Sequence, residues 1–359
     1  MWEIKGIDYV EFYVGNASQA AHFYRLAFGF APVALSTLET GERERTSFAL
    51  EQNDIRLILT SALSPESPVA EHVKLHGDSV KDIAFAVTDA TRAFEETVRR
   101  GARPVMEPTV YEQDEGRIVK ATVAACGDTV HSFIERSNKG AGASFFPGFQ
   151  PMKNPPLTAP TALKSIDHIA ICVEPGTLKR WYDFYIDVFG FYHSHQEDIV
   201  TDNTAMNSGV VENAGGSVKF PLMEPAANKR RSQIDEYLDF HHGPGAQHIA
   251  LLSSDIKQTV RSLRANGIPF LYTPDTYYET LEARVGKLDE DFETLRELNI
   301  LVDRDQQGIL MQVFTKPLHD RPTAFMEIIE RRGARGFGGG NIKALFESIE
   351  REQARRGNL

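Results

Sequence analysis

Apolar and polar positions alternate in several short stretches, and the same succession of stretches occurs twice along the chain. In the first half, an alternating stretch at 6–14 is followed by a helical pattern at 18–28 and, much later, by a strand pattern at 131–136. An alternating stretch at 165–173 opens the second half in the same way. A period of two residues predicts strands with one buried face, and a period of 3.6 predicts amphipathic helices.

The second half repeats the first with matched spacings. Asp89, Gly101 and Pro108 are separated by 12 and then 7 residues. The same intervals separate Asp255, Gly267 and Pro274. Further matched pairs are Phe23-Tyr24 with Phe184-Tyr185, His76-Gly77 with His242-Gly243, and Ile134-Glu135-Arg136 with Ile329-Glu330-Arg331. The agreement of several independent spacings indicates an internal duplication.

Each repeat is predicted to fold as an α+β domain with a curved mixed sheet. The predicted boundaries are 1–137 for an N-terminal domain and 161–359 for a C-terminal domain. A linker at 138–160, rich in Gly, Pro and Ser, joins the two. The stretch 341–355 is predicted to form an amphipathic helix over the mouth of the second sheet. Its apolar positions are Ile342, Leu345, Phe346 and Ile349.

Composition limits the classes of function. The chain has 359 residues, of which 42% are hydrophobic and 25% charged, as in ordinary soluble globular proteins. Its net charge of -11 argues against nucleic acid or an anionic membrane as the main partner. Two cysteines, Cys126 and Cys172, provide no disulfide framework, and no apolar run is long enough for a membrane helix. The N-terminus lacks a secretory signal pattern, so we predict a cytoplasmic protein.

Three side chains of the second half are candidate metal ligands. Glu327 shares a strand face with Phe325 and Ile329, so its carboxylate needs a positive partner. His168 and His248 lie on two other predicted strands, and such side chains can converge on the concave face of a curved sheet. Their counterparts in the first half are Tyr9, Asp82 and Ser132. The N-terminal domain is therefore predicted to lack metal ligands. Two imidazoles and a carboxylate are typical of non-haem Fe(II) oxygenases, and zinc uses the same ligand types.

Several motifs of the second half resemble one known family. They are Asp167-His168, Gln247-His248, Tyr277-Tyr278, Asp303-Arg304-Asp305, Arg321-Pro322-Thr323-Ala324-Phe325 and the run from Gly336 to Asn341. With these motifs the chain resembles the 4-hydroxyphenylpyruvate dioxygenase family, part of the vicinal-oxygen-chelate superfamily. The resemblance implies two tandem domains of βαβββ repeats and Fe(II) held by His168, His248 and Glu327. It also implies an enzyme that uses an α-keto acid and O2, assembled as a homo-oligomer (a dimer or a tetramer).

The resemblance further implies a substrate pocket beside the metal. Phe314, Phe325 and Phe337 would form its aromatic walls. Polar residues would bind the substrate or support the ligands, namely Ser208, Gln233, Gln247, Gln312 and Asn341. Pro221, Met223 and Ile342 complete the expected set of substrate-contacting residues.

Two enzyme types of this family use the same substrate and metal but place oxygen differently. In the homogentisate-forming pattern, Asn stands where this chain has Met223, within a predicted turn at 221–225, and Phe stands where it has Ile342. Losing an amide donor and a flat wall is expected to bring the benzylic carbon of the substrate closer to the oxidant. The sequence therefore favours the 4-hydroxymandelate synthase type, which converts 4-hydroxyphenylpyruvate and O2 to 4-hydroxymandelate and CO2.

Other functions stay open at this point. Pro221 follows the dioxygenase pattern, so homogentisate formation is the first alternative, and another apolar 2-oxo acid could be the substrate. A relative that binds a metal or ligand without turnover is the second alternative. A zinc hydrolase or isomerase is the third, and it would not depend on O2.

Overall fold

Each half of the chain builds one curved mixed sheet, and the two sheets share one strand order. The computed structural model of the protein describes residues 2–113, 116–138, 148–153, 155–196, 198–227 and 230–357. In these ranges the predicted fold class and the predicted duplication are both confirmed.

The first half contains one sheet and three α-helices among its described residues. In chain order its elements are β1 (Ile4–Tyr13), α1 (Ala17–Phe28), β2 (Ala31–Ser36), a 3-10 turn (Leu38–Thr40), β3 (Arg45–Gln52), β4 (Ile55–Ala62), α2 (Pro68–His76), β5 (Ser79–Val87), α3 (Ala90–Arg99), β6 (Pro104–Gln113), β7 (Gly116–Ala124), β8 (Val130–Asn138) and β9 (Gln150–Pro151). The sheet has the order β6-β7-β8-β5-β1-β4-β3-β2-β9.

The second half repeats this layout with additional helices. Its elements are β10 (Leu163–Cys172), α4 (Leu178–Asp183), a π-helical segment (Phe184–Val188), β11 (Tyr192–Gln196), β12 (Ile199–Val200), β13 (Ala205–Glu212), β14 (Lys219–Pro225), α5 (Gln233–His241), β15 (Gly245–Ser253), α6 (Ile256–Ala265), α7 (Asp275–Glu279), α8 (Leu281–Val285), α9 (Phe292–Glu297), β16 (Leu301–Arg304), β17 (Ile309–Phe314), β18 (Phe325–Arg332) and α10 (Gly339–Arg356). The strand order is β11-β13-β14-β10-β15-β18-β17-β16, with β12 paired to β13.

One local sequence prediction differs from the structure, and one matched spacing covers different structures in the two halves. The turn predicted at 221–225 is wrong, because these residues form the end of strand β14. Pro221 removes a single ladder donor, while Leu222 and Met223 still pair with β10. The matched spacing up to Pro274 also does not carry the same structure in both halves. Pro108 lies within β6, whereas Pro274 precedes α7, the first of three short helices that lead to β16.

A buried ion pair connects the first and last long strands of each repeat. In the first half, Arg136 donates to both carboxylate oxygens of Asp8, with distances of 2.9 and 2.6 Å. In the second half, Arg331 makes the same two-pronged contact with Asp167, at 2.7 and 2.8 Å. The strand between each pair is β5 or β15, so the ion pair reaches across the central strand of its repeat.

Bulges in the central strands accompany these ion pairs. Register shifts leave one extra residue at equivalent places in both repeats, Asp8 and Lys81 in the first half and Asp167 and Gln247 in the second. A bulge turns the side chain of the extra residue away from the alternation of the strand. Each of these strand pairs has three register shifts, and in the second half the two at Asp167 and Gln247 adjoin candidate metal ligands.

The two halves share one apolar core. The ring of Phe85 from the first half lies 5.9 Å from Phe189 and 6.1 Å from Phe220 of the second half, measured between ring centroids. Beside these rings, Nε2 of buried His131 lies 2.9 Å from the hydroxyl of Tyr185, which belongs to the π-helical segment. The halves are therefore packed directly on one another through aromatic side chains.

Much of the predicted linker at 138–160 lies outside the described residues, which omit 139–147 and 154. Within the described part, strand β9 pairs with β2 at the edge of the first sheet. In the described ranges, no helix combines the length and the apolar character required to cross a membrane.

The ion pair of the first half gives a stability prediction. Arg136→Met leaves the buried carboxylate of Asp8 with only the more distant guanidinium of Arg56, 3.8 Å away. We expect the free energy of unfolding in urea to fall by about 3 kcal/mol, because an uncompensated buried charge is costly. Arg117→Met is the control, since Arg117 pairs with Glu135 at a half-exposed site and its loss should cost less than about 1 kcal/mol. Equal losses in the two variants would contradict the role given to Arg136.

Candidate metal centre and active site

Three side chains from the central strands of the second sheet converge on one point. His168 lies on β10, His248 on the adjacent β15 and Glu327 on β18, which pairs with β15. Their candidate ligand atoms lie within 4.8 Å of one another, and all three residues are buried. Oε2 of Glu327 lies 3.3 Å from Nε2 of His168 and 3.5 Å from Nε2 of His248. The set predicted from sequence is thus brought together by parallel and antiparallel pairing of three neighbouring strands.

Each histidine is oriented by the bulged residue that precedes it. Nδ1 of His168 donates to Oδ1 of Asp167 at 2.9 Å, and Nδ1 of His248 lies 3.2 Å from Oε1 of Gln247. In a regular strand, neighbouring side chains point to opposite faces, so these contacts depend on the bulges. With Nδ1 holding the proton, Nε2 of each ring presents its lone pair to the point that Glu327 faces.

Arg331 connects the first of these histidines to the wall of the site. Besides its contact with Asp167, it donates to the carbonyl oxygen of Gly336 at 2.7 Å, and its guanidinium lies 5.5 Å from the ring centre of Phe337. Phe337 in turn lies 5.2 Å from the ring of His168 in an edge-to-face arrangement. One cation therefore sets the position of Asp167, and through it His168, together with an aromatic wall residue.

A chain of hydrogen bonds leads from Glu327 to the last helix. Gln312 donates to Oε1 of Glu327 at 2.8 Å and accepts from Asn341 at 2.8 Å. Asn341 accepts from the hydroxyl of Tyr277 at 2.7 Å. Gly338 immediately precedes α10 and has a φ of +74°, and a Cβ atom there would lie 2.6 Å from Oε1 of Gln312. Glycine at this position lets the helix start close enough for Asn341 to reach Gln312.

Burial and hydrogen bonding oppose each other in setting the pKa values of the site. Burial would raise the pKa of Asp167, but hydrogen bonds from His168 and Arg331 hold it well below the ordinary value. Burial would likewise raise the pKa of Glu327, and the two histidines and Gln312 lower it.

The two histidines differ in their pKa values. Burial lowers the pKa of His248 to about 3, so its ring is neutral at pH 7. Burial would also lower the pKa of His168, but Glu327 and Asp167 raise it above the ordinary value. A divalent cation bound between these residues would displace the proton of His168 and supply the positive charge that Glu327 requires.

A cavity adjoins the triad and opens beneath α10. Besides the three candidate ligands, nine of the residues predicted from sequence line it, namely Ser208, Pro221, Met223, Gln233, Gln247, Gln312, Phe314, Phe337 and Ile342. Phe325 and Asn341 lie one layer behind. The ring of Phe325 is stacked on His248 with centroids 4.9 Å apart, and Asn341 supports Gln312.

The sequence did not identify several residues of this wall. They are His195, Met206, Gly209, Val210, Leu345 and Phe346. Leu345 and Phe346 belong to the predicted apolar face of the last helix, so its docking could have indicated them. His195 carries no comparable signal, because a register shift between His193 and His195 obscures the period of two on β11.

The equivalent place in the first half holds a different polar cluster. Tyr9 donates to Asp82 at 3.0 Å, and the hydroxyl of Ser132 donates to the same carboxylate at 2.6 Å. Lys120 occupies the register position that corresponds to Gln312, and its ammonium group lies 2.8 Å from the hydroxyl of Tyr9 and 3.4 Å from Asp82. A side-chain cation is thus present where the second half has a candidate metal site.

Comparison with known proteins places this fold in a superfamily. Residues 6–128 and 165–312 match the family model described as Glyoxalase/Bleomycin resistance protein/Dioxygenase superfamily, one match in each half. One match in each half agrees with the two duplicated sheets described above, of which the second carries the candidate ligand triad.

Individual relatives narrow the assignment. The 4-hydroxyphenylpyruvate dioxygenase of Yarrowia lipolytica is 43% identical over 372 residues, covering 99% of this chain and 94% of the relative. That of Danio rerio is 43% identical over 364 residues, covering 98% and 91%. The structure of a triple mutant of 4-hydroxymandelate synthase from Streptomyces coelicolor superposes with a TM-score of 0.87 and 37% identity, covering 98% of this chain and 99% of that one. The chain belongs to the 4-hydroxyphenylpyruvate dioxygenase and 4-hydroxymandelate synthase family, and it is an enzyme of the non-haem dioxygenase class.

The carboxylate of the triad can be tested by substitution. Glu327→Gln removes the negative charge that faces both histidines, so we expect Fe(II) affinity to fall by more than roughly a hundredfold, with loss of turnover. Anaerobic calorimetric titration with Fe(II) measures the affinity. Glu330→Gln is the control, because Glu330 lies on the same strand but accepts from the backbone of Ile256 at the start of α6. Undiminished Fe(II) binding by the Glu327 variant would rule out the triad.

The role of Arg331 gives a second prediction. Arg331→Met removes the partner that fixes Asp167, and we expect Fe(II) affinity to fall about 10- to 100-fold, as for other residues that orient metal ligands. Arg332→Met is a matched control on the next residue, since Arg332 pairs with Glu290 and Glu330 away from the site. The same titration measures both variants. If both variants bound Fe(II) as the parent does, Arg331 would have no part in orienting the ligand.

Proposed function

We propose that this enzyme uses Fe(II) to convert 4-hydroxyphenylpyruvate and O2 to 4-hydroxymandelate and CO2. The observation that carries the proposal is the position of Met223 and Ile342, which both line the cavity beside the triad. These are two of the positions at which the sequence departs from the homogentisate-forming pattern; a third departure follows the first histidine, at 169–171. The catalytic and metal-binding residues of the proposal are His168, His248 and Glu327.

The donor set supports Fe(II) as the cofactor. Two imidazole nitrogens and one carboxylate on one side of a metal leave positions for a chelating substrate and O2. Bound at this point, the metal would supply Lewis acidity and hold the 2-oxo acid and O2 together. The protein would hold His168 and His248 in the tautomer that ligation requires, and would keep Glu327 ionised through Gln312.

The cavity walls support an aromatic substrate. Phe314 and Phe337 provide aromatic surface next to the triad, and Leu345 and Phe346 of α10 cover the cavity from above. These side chains exclude water from the reacting atoms, which protects a reactive oxidant from side reactions. The polar side chains of Ser208, Gln233 and Gln247 are available for the carboxylate and keto groups of the acid.

The apolar character of one wall supports oxygen placement on the benzylic carbon. Met223 belongs to an apolar cluster with Met206 and Phe346, and Ile342 packs against that cluster. A thioether has no proton to donate, and a branched aliphatic side chain presents no flat surface to the ring. We infer that the ring tilts away from the metal and that the benzylic carbon lies nearest to it.

Homogentisate formation is the second candidate. The names of the curated relatives favour it, and so does Pro221, which lines the same cavity and follows the dioxygenase pattern. Both candidates use the same substrate, metal and oxygen, so they differ only in how the ring is held.

The remaining features of the proposal concern the whole protein. We propose a cytoplasmic homo-oligomer, a dimer or a tetramer, that acts on a small molecule and binds neither nucleic acid nor membrane. The chain would consist of an N-terminal domain at 1–137, a linker at 138–160 and a catalytic domain at 161–359.

Product identification tests the proposal directly. The Fe(II)-loaded enzyme is supplied with 4-hydroxyphenylpyruvate, and O2 uptake, CO2 release and products are followed. 4-Hydroxymandelate and homogentisate are isomers of equal mass, so chromatography against authentic standards must distinguish them. Homogentisate as the product would establish the second candidate. Absence of O2 uptake with any aryl or alkyl 2-oxo acid would indicate a binding protein, and O2-independent activity with Zn(II) would indicate a hydrolase or isomerase.

The two cavity residues give a further prediction. Met223→Asn combined with Ile342→Phe restores the amide and the flat wall, and we expect the product to shift from 4-hydroxymandelate towards homogentisate by roughly tenfold or more in ratio, the effect of about 1.4 kcal/mol. Met206→Leu serves as a control within the same apolar cluster, and it should leave the ratio unchanged because it adds no polar group. An unchanged ratio in the double variant would place product choice elsewhere.

A further inference from the structure

Among the described residues that line the cavity, His195 is the titratable one outside the candidate triad. It lies on β11, at the edge of the second sheet, and β13 and β14 separate that strand from β10. Its ring is half-buried, and its centroid lies 6.1 Å from that of Phe337, which also contacts His168. His195 therefore reaches the same cavity as the triad from a distant strand.

Close strand packing fixes the position of this residue. His195 pairs with Val210 on β13, next to Gly209. A Cβ atom at Gly209 would lie 3.0 Å from the carbonyl oxygen of His195 and 2.7 Å from Nε2 of His193. Only a residue without a side chain allows β11 to lie this close, so the backbone of His195 is held against the cavity wall.

The wall that His195 joins is otherwise poor in hydrogen-bonding groups. On β13 and β14 the cavity is lined by Met206, Val210, Pro221 and Met223, with Ser208 as the polar exception. In a mostly apolar pocket, a few polar side chains fix the orientation of the ligand and select for it. An imidazole can accept from a phenol or donate to its oxygen, whichever tautomer it adopts.

We propose that His195 binds the ring hydroxyl of the substrate and so selects 4-hydroxyphenyl over phenyl 2-oxo acids. The inference rests on the proposed function, because it takes an aryl 2-oxo acid as the ligand of the cavity. With a thioether at position 223, β14 offers the hydroxyl no amide, and the hydroxyl finds its partner at β11 instead. Anchoring the ring at the edge strand also tilts it, which agrees with oxygen placement on the benzylic carbon.

The test measures substrate binding without turnover. Anaerobic calorimetric titration of the Fe(II)-loaded enzyme gives the dissociation constants of 4-hydroxyphenylpyruvate and phenylpyruvate. We expect the parent enzyme to prefer the hydroxylated acid by about tenfold, the effect of one net hydrogen bond. His195→Phe should abolish this preference by weakening the binding of 4-hydroxyphenylpyruvate while leaving that of phenylpyruvate within about twofold.

A matched control comes from the same strand. His193→Phe changes the same residue type two positions away, at an exposed site outside the cavity, where the ring contacts Tyr182. It should keep the full preference. An equal loss for both acids in the His195 variant, or an unchanged preference, would overturn the proposal.

A comparison on the parent enzyme can overturn the proposal even if the His195 variant does not fold. 4-Methylphenylpyruvate has nearly the size of 4-hydroxyphenylpyruvate but no ring hydroxyl, and we expect it to bind about tenfold more weakly. Equal binding of the two acids would overturn the proposal.

Product analysis of the same enzyme tests the proposed product independently of the role of His195. Homogentisate formation together with a His195-dependent preference would refute the proposed product but keep the role of His195. 4-Hydroxymandelate formation without a His195-dependent preference would support the proposed product but refute the role of His195.

Discussion

The arrangement of both repeats depends on a buried ion pair between an aspartate on the first strand and an arginine on the last. The pair is present as Asp8 with Arg136 and as Asp167 with Arg331, although among the described residues the candidate metal ligands belong to the second half. The ion pair therefore belongs to the duplicated fold, and the candidate site of the second half makes additional use of it. A buried pair with both partners in place is tolerated, whereas either partner alone is strongly destabilising, so the two strands are held in one relative position. His168 takes its orientation from that fixed carboxylate.

The candidate metal site uses irregularities that the fold already has. Both repeats carry bulges at equivalent places, and in the second half the bulged residues, Asp167 and Gln247, orient the histidines that follow them. The two orienting groups differ in charge, since one is a carboxylate held by Arg331 and the other a neutral amide. A carboxylate partner makes an imidazole a stronger donor than an amide does, so the two candidate nitrogen ligands are inequivalent. This difference between the two histidines follows from the residue type that precedes each one, and it requires no difference between the backbones of β10 and β15.

Much of this arrangement could be predicted from sequence because duplication supplies an internal comparison. Equal spacings identified the repeats, and the failure of Tyr9, Asp82 and Ser132 to match His168, His248 and Glu327 indicated which half carries the site. The depth of each side chain could not be predicted, since Phe325 and Asn341 lie behind the residues that line the cavity. His195 was missed because bulges shift the alternation that identifies cavity-facing positions. A turn is predicted at 221–225, but these residues pair on both sides of β14, and this pairing outweighs the local preference of Pro221 and Pro225.

With the ammonium group of Lys120 in the first half and a metal bound in the second, the two halves would depend differently on the metal supply of the cell. A cation that belongs to the chain cannot dissociate, so the charge balance around Tyr9 and Asp82 is the same in metal-rich and metal-poor surroundings. In the second half the corresponding cation would be exchangeable, and by mass action the stability of that half would rise with the concentration of free metal. A chain that has lost its metal would thus keep the charges of its first repeat balanced. Through the shared aromatic core, that repeat would hold the other in place until metal returns.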